Sequence, residues 1–270
     1  MKKLPKDSPL VFCKAFINRE LESNKCSGIL SSYWEVMERI IERADELKSA
    51  FDELVSKFGY SDKQQNANLW MTLEHIWLSV DYNKEDVIKN RDDYREYVIL
   101  QKEIIDLSFK LAKKLRRQTE LSNYSGIERE DCQFVDDMIH QASEANYLYE
   151  HHLGPKMKSL GNKYDSKYWP SRAEVIEAIG NFERQHIEPT HTELPMTVIE
   201  GRATDIKDFV LAFDGQFDKH SNDLPEDFKF SNNAMADIIN IILDFPPEKM
   251  TTPDAIRIVR NRYFSKIIVD

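Results

Sequence analysis

Glycine and cysteine are both scarce in this chain, with 8 and 3 in 270 residues. Doubly wound α/β folds and phosphate-cradling loops place glycine at their turns, so its scarcity argues against a nucleotide-binding enzyme of that class. No Gly-x-Ser-x-Gly elbow, His-Glu-x-x-His pair, Walker-type loop or Gly-x-Gly-x-x-Gly run occurs. The cysteines, Cys13, Cys26 and Cys132, are odd in number, far apart and in no Cys-x-x-Cys pair. That pattern points to reduced thiols in a cytoplasm, not to a disulfide or zinc framework. No apolar run approaches the roughly 20 residues that a membrane-spanning helix needs. The N-terminus starts basic, at Lys2 and Lys3, but no continuous apolar core of the kind that marks a secretory signal follows. Basic charge is also in the minority. Lys and Arg number 37 against 47 Asp and Glu, for a formal net charge of -10, a poor fit to coating nucleic acid or anionic lipid. Proline is missing from Leu10 to Gly154, which permits long helices.

What is present is a hydrophobic fraction of 41%, enough for a substantial core, patterned at helical period. The clearest case is Tyr33, Met37, Ile40, Ala44, Leu47, Phe51, Leu54 and Phe58, whose gaps alternate four and three. That is the heptad seam of a helix lying lengthwise on others. Ser31 or Ser32 is placed to cap its start and Gly59 to close its end. A second helix is expected over 62–80, on Leu69, Leu73, Ile76, Trp77 and Val80. A third is expected over 84–119, with Tyr94, Tyr97, Val98, Ile104, Ile105, Leu111 and Leu115 inward and Gln101 and Ser108 interrupting the seam. The fourth, 127–153, has Val135, Met138, Ala142, Ala145 and Tyr149 as its stripe and Gly154-Pro155 as its stop. Four helices with short connections predict an all-α antiparallel bundle.

Beyond Pro155 the chain is richer in proline. Helices are expected over 172–187, on Val175, Ile176, Ile179 and Phe182, and over 204–217. A nearly all-apolar helix follows over 232–245, and a last one starts at Thr252-Pro253. Met196–Ile199 reads as a short extended piece, and Ile267–Val269 as a strand or tail. The expected organisation is an N-terminal lead-in (1–27), a bundle (28–154) and a smaller helical part (155–270).

Three constellations bear on function. A carboxylate-bridged dimetal bundle enzyme needs paired Glu-x-x-His motifs facing inward. Here Asp137-x-x-His140 and Glu183-x-x-His186 are present, with Glu144 and His151 near. Helical geometry turns His140, Glu144 and His151 away from the apolar stripe, so no metal or other cofactor is expected. Arg257, Arg260, Arg262 and Lys266 make the C-terminus a candidate nucleic-acid patch. Arg262 lies far round the helix from the first two, however, and the bland alternative ties these cations to the acidic stretch 218–227. The basic run Lys110, Lys113, Lys114, Arg116 and Arg117 reads as cations complementing a helix C-terminus. The resulting expectation is a non-catalytic scaffold, adaptor or inhibitor whose partner is another protein. The seam at 33–58 is a possible homodimer face. Nucleic-acid regulation is the alternative and a dimetal enzyme the second alternative.

Overall fold

A computed structural model describes residues 3–60, 67–127, 134–163, 168–186, 192, 194–219, 224 and 228–263. Its elements in chain order are α1 (Pro9–Ser27), α2 (Trp34–Glu42), α3 (Lys48–Phe58), α4 (Ala67–Leu78), α5 (Lys84–Ser125) and α6 (Val135–Ala142). Then come α7 (Gly154–Lys163), α8 (Arg172–Gln185), α9 (Met196–Ile199), α10 (Asp205–Lys219), α11 (Asn232–Ile242) and α12 (Pro253–Tyr263). The fold is all-α, with no strand among the described residues. No described helix is long and apolar enough to cross a membrane. Met196–Ile199 is one turn of helix, not an extended piece, and 267–269 lies outside the described residues. The chain forms two compact units, residues 1–93 with 192–270, and residues 94–191. These divide the chain differently from the expected segments 1–27, 28–154 and 155–270.

In the first unit the expected lead-in is helix α1. The Ser8 hydroxyl accepts from the Val11 amide at 3.3 Å, Pro9 opens the first turn, and Gly28 ends the helix at φ +66°. Phe12, Cys13, Phe16, Ile17 and Leu21 are buried where α1 packs on α2 and α3. The seam from Tyr33 is also buried, with Met37, Ile40, Leu47, Phe51 and Leu54 all at 0% exposure. Its helix is broken, however, by 3₁₀ turns at Ser31–Tyr33 and Ala44–Leu47. A 3₁₀ turn also returns a side chain every three residues, so the stripe survives the break and the sequence period does not register it. Because α1 and α11 cover this seam, it offers no face to a second copy of the chain.

Phe209, Phe213 and Phe217 line one face of α10 and meet Phe228 and Phe230, with the His75 ring tilted 4.2 Å from Phe213. The expected all-apolar helix is α11, buried from Ala234 to Ile242 save for Asp237 at its edge. Asn240 ties α11 to the start of α12: its Nδ2 donates to the Thr251 carbonyl at 3.1 Å and its Oδ1 accepts from the Thr251 amide at 2.7 Å. Two arginines are drawn inward. Arg91 pairs with Asp208, and Arg260 with Asp214.

Cys13 is buried, and burial together with the charge of Asp52 pushes its thiol up to about 12, whereas Cys26 is exposed. Thiolate is the nucleophile, so native protein treated with iodoacetamide is expected to label Cys26 and spare Cys13 by peptide mapping. Equal labelling would show that α1 opens readily. Cys132 lies outside the described residues.

In the second unit, α5 continues unbroken to Ser125. Gln101, Ser108 and Ala112 are buried, with Tyr94, Val98, Ile105 and Leu115 half-buried beside them. Gln101 and Ser108 are therefore the seam and not interruptions of it. The Gln101 amide donates to the carbonyls of Glu183, at 3.2 Å, and His186, at 2.6 Å, at the end of α8, where carbonyls lack the full set of intrahelical donors. A Cβ added at Gly180 would sit 3.0 Å from that of Ser108, so glycine sets the close approach of α8. The expected α8 stripe is accordingly displaced. Ala173 and Gly180 are buried, while Ile179 and Phe182 are exposed. The expected long fourth helix is also corrected. Residues 128–133 lie outside the described residues; from 134 on it is α6, then a turn, then a π-helical turn at Tyr149–Leu153, and Tyr149 alone of the predicted stripe is buried. Gly154-Pro155 starts α7 and does not stop a helix, since proline fits a first turn.

Candidate functional site

Two apolar stripes run along α5. The inner one is described above. The other is Tyr97, Leu100, Ile104, Leu107 and Leu111, whose gaps alternate three and four without a break. At about 100° per residue it lies about 100° round the helix from the inner stripe. Each of its members is 41–62% exposed. Single surface leucines are ordinary, but here five large apolar side chains stand exposed in heptad register on one helix face. Tyr97, Ile104 and Leu111, expected inward from their periodicity, belong to this exposed stripe. Their outward position follows from Gln101 and Ser108 taking the contact with α8. Leu100 and Leu107 were missed, although the unbroken three–four alternation identifies them.

The flank of this stripe away from the buried face carries Glu96, Glu103, Lys110 and Arg117, at intervals of seven and all exposed. Acid is followed by base along the helix. Lys110, Lys113, Lys114, Arg116 and Arg117 lie well before the end of α5, so the helix-end explanation for this basic run fails, because that effect is confined to the last turn. Arg116 instead binds Glu177, and Arg117 binds Glu120 at 2.9 Å.

The candidate arginines of the C-terminus do not share a surface. Arg260 grips Asp214 with two nitrogens, at 2.9 and 3.0 Å, and donates to the Phe230 carbonyl at 2.7 Å. The acid that holds it thus precedes the 218–227 stretch. Arg257 is exposed and paired with Asp254 on its own helix at 2.9 Å. Arg262 lies over the Tyr263 ring at 5.6 Å, and Lys266 is outside the described residues.

The carboxylate–histidine motifs have other partners. His140 Nδ1 is 3.3 Å from the Tyr149 hydroxyl, and Glu183 accepts from Gln101 at 3.3 Å. The His186 ring lies 4.5 Å from that of Phe182, tilted by 51°. Among the described residues no three His, Cys, Asp or Glu side chains converge as a metal site requires. A cavity of about 580 Å³ in the first unit is lined by Tyr33, His75 and the acids Glu74, Asp81, Asp86 and Asp93. Two of these acids accept hydrogen bonds there, Asp81 from the Tyr33 hydroxyl at 2.6 Å and Asp86 from the Asn83 amide.

Comparison with protein families, with curated proteins and with solved structures finds no match to this chain.

Proposed function

We propose that this chain is a helical protein–protein interaction module, a scaffold, adaptor or inhibitor without catalysis of its own, which docks through the outer stripe of α5. The observation that carries the reading is the exposed run Tyr97, Leu100, Ile104, Leu107 and Leu111. Large apolar side chains in unbroken heptad register are what a helix presents to another helix. The charged flank beside them supplies the polar rim that such an interface uses to choose its partner. The partner expected is therefore a helical protein and not a nucleic acid.

The test compares the wild type with Leu107→Asp in a pull-down from native lysate, with and without nuclease. Protein partners are expected with the wild type in both conditions and lost with the variant. A buried leucine would not tolerate the change, so folding is the control. In dilute urea titrations Leu107→Asp is expected to stay within about ±0.5 kcal/mol of the wild type, as surface substitutions do. Recovery of the same proteins by both chains, or a stability loss of about 2 kcal/mol or more, would sink the reading.

A further inference from the structure

The outer stripe of α5 has a charge pattern that names its own complement. Its flank reads Glu96, Glu103, Lys110, Arg117, acid in the first half and base in the second, one residue per heptad. A second copy of the same helix laid parallel and in register would bring this flank against the other edge of the stripe, Gln101, Ser108 and Leu115, which carries no charge. Laid antiparallel, the same helix sets every acid opposite a base. We propose that the partner of this face is a second copy of the chain, and that two α5 helices pair antiparallel through their outer stripes about a two-fold axis between Ile104 and Leu107. The proposal rests on the interaction reading given above.

The register follows from heptad geometry. In an antiparallel pair the two kinds of core position alternate across the seam, so Ile104 of one copy faces Leu107 of the other and Leu100 faces Leu111. Tyr97 then meets the aliphatic stem of Lys114, whose ammonium reaches past the end of the apolar run to water. With those layers fixed, the flank positions pair as Glu103 with Lys110 and Glu96 with Arg117, each twice by symmetry. A two-fold interface must be self-complementary, the same patch on both partners, and one helix carrying both signs in mirrored order meets that condition. Antiparallel helix dipoles oppose one another, positive end beside negative end, and so favour the same arrangement. Arg117, which binds Glu120 in the single chain, exchanges that contact for the second copy's Glu96. The seam at 33–58 contributes nothing, since the chain's own helices cover it.

Exposed ion pairs are individually weak, so here they set direction and register, while the apolar layers hold the copies together. That division makes a charge-reversal series diagnostic. The full chain and the variants Leu107→Asp, Glu103→Lys, Lys110→Glu and Glu103→Lys with Lys110→Glu are compared by sedimentation equilibrium over about 1–100 μM. The wild type is expected to be dimeric and Leu107→Asp monomeric with unchanged helicity. Each single reversal creates two like-charge pairs and is expected to weaken the dimer about tenfold, while the double reversal restores it to within about twofold. A wild type that is monomeric throughout, a dimer that survives Leu107→Asp, or a double reversal weaker than either single one overturns the pairing. An apolar dye separates this failure from failure of the underlying reading. A monomeric wild type that binds dye, where Leu107→Asp binds none, removes the self-pairing and leaves the docking face standing. A Leu107→Asp chain that loses its helicity removes both, because the stripe would then belong to the chain's own core.

Discussion

Arg91→Leu is expected to lower the unfolding free energy by about 3–5 kcal/mol, the usual consequence of removing one partner of a buried ion pair. Arg91 and Asp208 are 3% and 2% exposed, and their side chains meet at 3.0 Å. The arginine Nε also donates to the Val198 carbonyl at 2.7 Å, so one side chain ties the beginning of α5 to α9 and α10. On the other side, the Thr204 amide donates to the same Asp208 carboxylate at 2.7 Å, which caps the start of α10, and Lys207 Nζ lies 3.0 Å away. Leucine in place of Arg91 leaves the carboxylate buried with, among the described residues, only Lys207 paired to it, and strips the Val198 carbonyl of a donor. Against a total stability of about 5–15 kcal/mol, that loss is large. The double replacement Arg91→Leu with Asp208→Leu is expected to recover part of it, because no charge is then stranded, although the α10 cap is lost. Urea denaturation of the single and double variants measures both quantities. A single variant within about 1 kcal/mol of the wild type would show that water reaches Asp208 in the folded chain.

This pair was invisible in the sequence for a definite reason. Periodicity reports which side chains prefer to leave water, and an arginine in a charged helix never scores as one of them. Arg91 and Asp208 are buried only because each is near the other, and nothing local in either helix encodes that meeting. Gln101 is the neutral version of the same problem. Read alone it breaks an apolar seam, but the α8 carbonyls it bonds make it part of one. By contrast the seam at Met37, Ile40, Leu47, Phe51 and Leu54 was legible because aliphatic burial needs no specific partner. So was the all-α class. The helix breaks within that seam were not legible, because α and 3₁₀ turns place side chains at nearly the same spacing.

The candidate site was half legible in the same sense. The residues of the outer α5 stripe stand in the sequence in perfect register, but so does an inner stripe beside them, and a helical wheel alone does not say which of two adjacent faces is covered. The deciding residue is on another helix. Gly180 admits α8 against Ser108, and that approach leaves Leu100, Leu107 and Leu111 outside. A sequence reading that counted small residues on α8 as a packing surface, alongside large ones, would have found the choice.

Arg260→Leu is the second substitution with a large expected effect, and its size depends on pH. Asp214 is 1% exposed, and burial raises its carboxyl above the ordinary range, while the Arg260 guanidinium at 2.9 and 3.0 Å opposes that rise. Removing the guanidinium removes the larger opposing influence and leaves Lys229 as the weaker one, so the carboxyl climbs further. The folded variant then holds a proton on Asp214 that the unfolded chain, with its ordinary carboxyl, releases. Fewer protons on the unfolded state means that stability falls as pH rises. At neutral pH the loss is expected to be about 3–5 kcal/mol, including the orphaned Phe230 carbonyl and Asn232 side chain that Arg260 also binds. Toward lower pH the deficit relative to the wild type is expected to narrow, because the wild-type folded carboxyl then takes up the proton that the variant already holds, the unfolded chain being common to both. Arg260→Lys is expected to recover little, since an ammonium cannot reproduce the two-nitrogen grip on a carboxylate and reach the Phe230 carbonyl as well. Urea titrations at several pH values read all of this. A deficit of constant size across the range would mean that Asp214 stays ionised without its arginine, and that Arg260 acts there as packing and not as charge.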